Sequence, residues 1–152
     1  MPIEPTSFKP GEHLFHEGAE SKSLYLIKVG RVSIQKAVKG GTVEIAQVGA
    51  NQIIGEVGFF DQRPRSGDAI ALSYCEVIEI PYDSLRPLFD PAPDYLKKIV
   101  IALASRLREA DETIRLLKEK LGEGNLAAPS QVEEEEVGNE SETQKILRMT
   151  EE

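Results

Sequence analysis

The sequence predicts a mainly β domain followed by one long helix. From Gly11 to Ile80, short apolar runs alternate with turn residues at a spacing typical of hairpins. From Asp94 to Leu121, apolar side chains instead recur every three or four residues, which is the period of a helix. Many short strands with regular turns favour a sandwich or a barrel for the first segment.

The chain has 152 residues, about the length of one domain, and this is enough to bury a core. Its single cysteine, Cys75, excludes an internal disulfide bond and suits a reducing compartment. The sequence shows no signal-peptide pattern and no apolar run near the roughly 18 residues of a membrane helix. We therefore expect a soluble, cytoplasmic protein.

Four apolar runs predict strands. They are Leu24–Val29, Val32–Gln35, Val43–Val48 and Ala69–Ile80. Gly40-Gly41 predicts a hairpin turn between the second and third runs. Pro81 ends the sheet, and Tyr82–Phe89 predicts a short amphipathic helix in spite of Pro87 inside it.

The longest helical pattern begins at Asp94, a suitable N-cap, and Gly122 is a suitable terminator. Its apolar residues form a heptad stripe: Leu96, Val100, Leu103, Leu107, Ala110, Ile114, Leu117 and Leu121. Such a helix would extend roughly 40 Å, too far for a small β domain to cover alone. We predict a parallel homodimer through residues 94–121, with Arg106 and Asp111 placed to pair across the seam. The alternative is a stripe that packs on its own β domain.

The acidic charge is concentrated at the C-terminal end. Residues 122–152 hold nine Glu against two bases, whereas the 17 acids and 16 bases of residues 1–121 nearly cancel. We expect a disordered tail, in which Thr143–Met149 could form a helical turn on a partner. This charge balance argues against nucleic-acid binding, which usually needs a basic face. The predicted units are a β domain with short helices at 1–93, a dimerisation helix at 94–121 and an acidic tail at 122–152.

The stretch from Gly55 to Ala69 is too rich in Gly and charge for a core strand, and its residue types suit a phosphate. Gly55 and Gly58 let the backbone approach a ligand closely. Residues 56–60 can form one helical turn whose free N–H groups face an anion. Backbone N–H groups of Gly55, Val57 and Gly58 are therefore candidates for ligand contact, the alternative being ordinary turn geometry.

Two charged side chains in this stretch suit the two halves of a sugar phosphate. Arg65 offers a forked cation for phosphate oxygens, and Ser66 adds a hydroxyl and an N–H. Glu56 would repel phosphate but suits hydroxyls such as those of a ribose. Together they indicate a nucleotide. The alternatives are a surface carboxylate at Glu56 and a surface ion pair of Arg65 with Asp61 or Asp68.

The Gly-Glu pair, followed nine residues after Glu56 by Arg65 and a serine, resembles the phosphate-binding cassette of cyclic nucleotide-binding domains. That family includes the bacterial catabolite activators and the regulatory subunits of cyclic-AMP-dependent kinase. The resemblance covers about residues 6–121, including Phe8-Lys9-Pro10-Gly11-Glu12, Phe15, Glu17-Gly18, Leu24-Tyr25-Leu26-Ile27 and Gly30-Arg31-Val32. It implies a jelly-roll-like β-roll of about eight strands plus a long C-terminal helix. It also implies that Glu56 accepts the ribose 2′-hydroxyl and that Arg65 pairs with the cyclic phosphate.

The resemblance further implies walls for the base. Ile34, Ile45 and Ala46 match strand positions that face the base in the catabolite activators, the alternative being a place in the plain core. On the long helix, Ala110 and Asp111 match positions that cap the base there, with Asp111 reaching from the second subunit. A carboxylate would accept a hydrogen bond from the amino group of adenine, which favours cyclic AMP over cyclic GMP.

Three neighbouring residues bear on affinity and ligand choice. In the family, a hydroxyl at the position of Ser66 can also touch guanine, so cyclic GMP stays open. Gly67 stands where the family usually has Ala, and Asp68 where it usually has an apolar residue or Thr. A looser strand and a negative charge near the phosphate would both lower affinity. His13 and His16 are too few for a metal site, and nothing resembles a nucleophilic triad.

The sequence therefore predicts a cyclic nucleotide receptor, not an enzyme, that signals through its C-terminal helix. Ligand binding would close the cassette and reposition that helix by favouring one of its arrangements. The helix-turn-helix of the catabolite activators has no counterpart in this sequence, so we expect a protein partner rather than DNA. The alternative is a structural interaction module whose pocket no longer binds nucleotide, which this fold also supports.

Overall fold

The computed structural model describes residues 4–122, which form two four-stranded antiparallel sheets and three helices. The strands are β1 (Thr6–Phe8), β2 (His13–Phe15), β3 (Ser23–Val29), β4 (Val32–Val38), β5 (Gly41–Val48), β6 (Ile53–Ile54), β7 (Asp68–Ala71) and β8 (Cys75–Pro81). The helices are α1 (Val57–Asp61), α2 (Tyr82–Phe89) and α3 (Asp94–Lys120). The first sheet has the strand order β1-β8-β3-β6 and the second has β2-β7-β4-β5. The predicted fold class, a β-roll of about eight strands followed by a long helix, is confirmed.

Residues of both sheets share one apolar core. Ile27 and Val77 of the first sheet and Val32 of the second are fully buried. Their β-branched side chains pack well on a pleated surface, which is why strands with this composition form the roll. A second, smaller cluster lies beneath the short helices and consists of Leu24, Phe59 and Tyr82.

The hairpin predicted at Gly40-Gly41 joins β4 and β5. Val38 pairs with Gly41, so Lys39 and Gly40 are the two turn residues. Gly40 has a φ of 87°, a left-handed conformation that glycine adopts without steric cost. Gly41 is therefore the first residue of β5 and not part of the turn.

The run predicted as one strand at Ala69–Ile80 is two strands. Residues 72–74 separate β7 from β8. Because β7 belongs to the second sheet and β8 to the first, the chain turns a corner between them. The hydroxyl of Ser73 accepts a hydrogen bond from the amide of Arg31 at this corner. The prediction of a single strand is wrong because apolar composition does not reveal a change of sheet.

The helices α2 and α3 occupy the predicted segments, with one difference at a cap. The short α2 contains Pro87, as expected, and loses one backbone hydrogen bond there. The N-cap of α3 is Pro93, whereas Asp94 lies in the first turn with its carboxylate 3.7 Å from the Nζ of Lys97. The prediction of Asp94 as N-cap is therefore wrong by one position, although an acid in the first turn still complements the helix dipole. Gly122 ends the helix as predicted, with a φ of 74°.

The long helix α3 lies against α1, β4 and β5. Its buried residue is Ala104, which is 6% exposed and does not belong to the heptad stripe. Six stripe residues are instead exposed: Leu96, Leu103, Leu107, Ala110, Leu117 and Leu121. The stripe as a whole therefore does not pack on the β domain of its own chain. The homodimer stays a prediction that this exposed stripe favours.

Among the described helices, none is long and apolar enough to span a bilayer. The predicted acidic tail, with its helical turn at 143–149, lies outside the described residues from position 123 onward.

Candidate functional site

A cavity of about 170 Å³ lies beside α1, where residues of the second sheet and of α3 approach the cassette. Ten of the predicted site residues line it: Ile34, Ile45, Ala46, Gly55, Glu56, Val57, Gly58, Arg65, Ser66 and Asp111. These residues come from four separated segments of the chain: β4, β5, the stretch from Gly55 to Ser66, and α3. Their contact with a ligand stays a prediction, but the fold brings them to one place.

Ala110 is the predicted site residue that does not line the cavity. It is exposed on α3, whereas its neighbour Asp111 reaches the cavity. Asp111 and Leu107 lie four residues apart and share the face of the helix that meets the cassette. Contact of Ala110 with a base stays a prediction, whereas Asp111, expected to reach the base from a second subunit, lines the cavity of its own chain.

The guanidinium of Arg65 is buried, with 7% of the residue exposed. One Nη donates to the carbonyl of Ser23 at 2.8 Å, and the other lies 3.5 Å from the carbonyl of Gly55 and 3.4 Å from the hydroxyl of Tyr82. The guanidinium carbon also lies 4.1 Å from the centre of the Phe15 ring, a cation–π contact. Within residues 4–122, the buried Nε of Arg65 has no acceptor. A buried donor without a partner costs about 1–3 kcal/mol and calls for an explanation such as a bound ligand.

Gly55 and Gly58 permit close contacts around Arg65. Gly55 has a φ of 82°, and a Cβ there would lie 2.5 Å from an Nη of Arg65. A Cβ on Gly58 would overlap the hydroxyl of Ser21 and lie 3.0 Å from that of Tyr82. Both glycines therefore allow the cassette to close tightly over its own side chains, in addition to any approach of a ligand.

Glu56 and Asp111 give the cavity negative charge. Burial raises the pKa of Glu56, and the nearby charge of Asp111 raises it further. Burial also raises the pKa of Asp111, while Lys36 and Arg108 oppose that rise. Both carboxylates are thus poorly solvated in the folded protein. A ligand with hydroxyl or amino groups would donate hydrogen bonds to these carboxylates in place of the water that they have lost.

An ion pair that the sequence analysis did not predict holds α3 on the cassette. Arg108 donates to both carboxylate oxygens of Asp61, one of them at 2.9 Å, and to the carbonyl of Pro64 at 3.2 Å. Farther along α3, Glu112 lies 3.5 Å from the Nζ of the buried Lys36 in β4. The cavity and the position of α3 are therefore physically linked, since the same helix lines one and makes these contacts.

The surface ion pairs considered for Arg65 do not form. Asp61 pairs with Arg108, and Asp68 accepts a hydrogen bond from the amide of Glu17 at 2.7 Å. Asp68 does not line the cavity, and its carboxylate lies beside the amide of Glu17 and the imidazole of His16. The expected loss of affinity from Asp68 has no support in this geometry.

Gly67 is buried and has no room for a side chain. A Cβ at this position would lie 2.5 Å from the carbonyl oxygen of Gln35. The strand at Gly67 is therefore closely packed against its neighbour, and the expectation of a looser strand is wrong.

Three contributors to the site were absent from the sequence-based prediction. Tyr82 donates its hydroxyl hydrogen to the carbonyl of Gly55, Phe15 lies under Arg65, and Arg108 binds the cassette. Their roles depend on contacts between distant segments, for which the sequence carries no direct signal. Arg108 alone of the three could have been found from the sequence, because its spacing of three residues from Asp111 puts both on one helix face.

A second groove of about 490 Å³ lies between α1 and α2. Apolar side chains dominate its lining: Leu24, Ile53, Phe59, Phe60, Leu85, Leu88 and Phe89, with Glu56 at its edge. No basic side chain of the described residues lines it, so it offers nothing for a phosphate. The cavity that contains Arg65 is therefore the better candidate for an anionic ligand.

The chain is similar to known regulators over two thirds or more of its length. Residues 5–91 match the family model described as a cyclic nucleotide-binding domain. The cAMP-activated global transcriptional regulator CRP of Escherichia coli is 32% identical over 103 residues, covering 66% of this chain and 49% of that protein. The CRP-like cAMP-activated global transcriptional regulator of Mycobacterium tuberculosis is 26% identical over 113 residues, covering 74% and 50%. The chain thus spans about half the length of these curated relatives.

Solved structures share the fold. The EAL enzyme Bd1971 in its cAMP-bound form gives a TM-score of 0.69 at 22% identity, covering 79% of this chain and 32% of that one. The regulatory subunit of a cAMP-independent protein kinase A from Trypanosoma brucei gives 0.54 at 22% identity, covering 62% and 35%. Such low identities show the fold alone. The family model, however, matches more than half of the chain and includes Glu56 and Arg65, so the chain belongs to the cyclic nucleotide-binding domain family.

Proposed function

We propose that this chain is a receptor for a cyclic nucleotide, with cyclic AMP preferred. Arg65 binds the cyclic phosphate, and Glu56 accepts the ribose 2′-hydroxyl. Backbone N–H groups of Gly55, Val57 and Gly58, together with the Ser66 hydroxyl, complete the polar contacts. The apolar wall formed by Ile34, Ile45 and Ala46 accepts the base.

The observation that carries this proposal is the environment of Arg65. Its Nε is buried without an acceptor among the described residues, in a side chain that lines the same cavity as Glu56. A phosphate oxygen would supply the missing acceptor and a counter-charge together. The relatives named as cAMP-activated regulators support the same ligand class.

The preference for cyclic AMP rests on Asp111. Its carboxylate lines the cavity and is poorly solvated, so an adenine amino group would be a favourable donor. Guanine presents a carbonyl oxygen at the equivalent position, which a carboxylate would repel. The hydroxyl of Ser66 also lines the cavity and could contact guanine, so cyclic GMP is the competing ligand.

Ligand binding would act on α3. The cavity is smaller than the roughly 300–1,000 Å³ of ordinary ligand pockets, and Leu107 and Arg108 of α3 help to line it. A nucleotide would therefore have to displace these side chains, together with the ion pair of Arg108 and Asp61. Such a ligand shifts the population toward a second arrangement of α3, to the extent that it binds that arrangement more tightly.

The output of this movement is a protein contact, and the chain itself is not an enzyme in this proposal. The exposed stripe of α3 supports a parallel homodimer through residues 94–121. Within one chain, Asp111 is near Lys36 and Arg108, so its predicted pairing with Arg106 would have to arise between subunits. The near-neutral charge of residues 1–121 favours a protein partner over nucleic acid.

The competing proposal is a structural interaction module that binds no nucleotide. The small cavity favours it. In that case, Arg65 would serve only to join Ser23, Gly55 and Tyr82. The exposed stripe of α3 would then be the functional surface.

Isothermal titration with cyclic AMP and, separately, cyclic GMP decides between the two proposals. The protein is first unfolded and refolded so that any copurified ligand is removed. We expect micromolar or tighter binding, with cyclic AMP the stronger ligand. The absence of heat with either ligand, from protein that melts cooperatively, would favour the interaction module.

A further inference from the structure

Outside the cavity, three side chains with metal-binding atoms meet on the surface of the second sheet. They are His13, His16 and Asp68, and each offers one nitrogen or oxygen within 4.8 Å of the others. The Nδ1 of His16 lies 3.7 Å from an oxygen of Asp68, and the two imidazole rings are stacked with centroids 4.3 Å apart. The sequence analysis expected no metal site, because the sequence alone offered only the two histidines.

The sheet topology supplies the third side chain. β2 pairs with β7 in antiparallel register, and Phe15 lies opposite Ala69. His16, the residue after Phe15, is therefore carried next to Asp68, the residue before Ala69. A separation of 52 positions in the sequence becomes direct proximity only when these two strands pair.

The chemistry of this set suits a late first-row transition metal ion. Two imidazole nitrogens and one carboxylate oxygen are ordinary ligands of Zn²⁺, and imidazole also suits Co²⁺, Ni²⁺ and Cu²⁺. Tetrahedral Zn²⁺ with bonds of about 2.0–2.1 Å holds its ligand atoms roughly 3.3 Å apart. The present separations must therefore close by about 1.5 Å at most. Both histidines are exposed, so rotation of side chains suffices and the sheet need not move.

The carboxylate of Asp68 is already oriented. Its Oδ1 accepts the amide hydrogen of Glu17 at 2.7 Å and is also the oxygen that lies 3.7 Å from the Nδ1 of His16. A carboxylate has about four lone pairs on its two oxygens, so this hydrogen bond leaves acceptor capacity for an ion. A hydrogen bond of this kind to a ligating carboxylate is the usual outer support of a metal site. The carboxylate is also partly shielded, with 20% of the side chain exposed.

We propose that the chain binds one divalent transition metal ion of the zinc class through His13, His16 and Asp68, with water in the fourth position. The ion would connect β2 and its following turn to β7 behind the cassette. That turn is hydrogen-bonded to Arg65, since Gly18 donates to the Arg65 carbonyl and the Arg65 amide donates to Ala19, both at 2.9 Å. The site lies next to the cassette but does not depend on the proposed nucleotide function.

The test uses the full chain without a histidine tag, freed of metal by a chelator. Isothermal titration with Zn²⁺ should give one ion per chain with micromolar affinity, and Co²⁺ should develop the visible absorption of a tetrahedral complex. Zn²⁺ should also raise the melting temperature, because the ion binds the folded state in preference.

Three variants carry the assignment. H13Q, H16Q and D68N should each weaken Zn²⁺ binding by about tenfold or more. D68N keeps an oxygen for the amide of Glu17, so its melting in chelator should match that of the wild type. E20Q removes an exposed carboxylate from the same turn and should leave Zn²⁺ affinity unchanged.

Two results would overturn the proposal. One is no saturable binding of Zn²⁺ or Co²⁺ up to about 100 µM. The other is binding that persists at wild-type affinity in H16Q and D68N, which would assign the ion to another part of the chain.

Discussion

Replacing Arg65 with alanine tests the proposed phosphate site most directly. In a complex, the buried guanidinium would lie against the cyclic phosphate in the cavity beside α1, and its removal would leave the charge of the phosphate without its partner. Truncation of one member of a buried, hydrogen-bonded charge pair costs about 2–5 kcal/mol. Affinity for cyclic AMP should therefore fall by about 30-fold to 4,000-fold.

The assay is isothermal titration of the refolded protein with cyclic AMP. Arg63→Ala is the matched control, because it removes the same charge from the same loop. Arg63 is exposed, and the contact that it makes with Asp61 uses its backbone amide. It should bind like the wild type. Arg65→Lys keeps the charge without the forked geometry and should give an intermediate affinity.

Loss of affinity has to be separated from loss of folding. Alanine at position 65 leaves the carbonyl of Ser23 without its guanidinium donor, whereas the carbonyl of Gly55 keeps the hydroxyl of Tyr82, so the variant should also melt at a lower temperature. Thermal melts therefore accompany each titration. If Arg65→Ala is folded at the assay temperature and binds cyclic AMP as tightly as the wild type, the phosphate role of Arg65 is wrong.

The remaining predictions concern charge, the dimer and the position of α3. Burial raises the pKa of Glu56 in the folded protein. Between the pKa of Glu56 in the unfolded chain and its higher pKa in the folded protein, only the folded protein keeps the Glu56 proton, so the free energy of unfolding falls as pH rises through this interval. Glu56→Gln should therefore melt higher than the wild type at neutral pH, with the difference vanishing near pH ~4; a constant difference would contradict this reason. The double variant Leu103→Glu and Leu117→Glu should sediment as a monomer, because both residues belong to the exposed stripe. The control Leu116→Glu changes an exposed leucine off the stripe and should remain a dimer. A wild-type protein that sediments as a monomer at micromolar concentration would contradict the dimer proposal. Arg108→Ala removes the ion pair with Asp61 that holds α3 on the cassette. The variant should have a free energy of unfolding lower by about 1–3 kcal/mol and faster amide hydrogen exchange in α3. Amide exchange at the wild-type rate would refute the linkage of helix and cassette.

Local features of this protein follow from neighbouring residues alone. The turn at Gly40 requires a left-handed backbone that glycine supplies, and the apolar period of residues 94–121 requires a helix. The spacing of Glu56 and Arg65 likewise carried the resemblance to the family, which the family model confirms, because both side chains belong to one short loop. These predictions succeeded because the interactions that decide them lie within a few residues of each other.

Other features depended on which segments meet. The corner at residues 72–74 exists because β7 and β8 pair in different sheets, and composition does not record the partner of a strand. Asp111 lines the cavity while Ala110 does not, because the rotation of α3 is set by its packing on α1 and the second sheet.

The charged contacts show the same division. The sequence offered Asp61 as an alternative ion-pair partner of Arg65. In the structure, Asp61 pairs instead with Arg108, 47 positions away. Asp68 meets His16 only through the pairing of β2 with β7. The sequence by itself determined the family and the roll. The tertiary structure decided the burial of Arg65 and the partner of each charge, because burial and long-range pairing are properties of packed segments and not of the residues themselves.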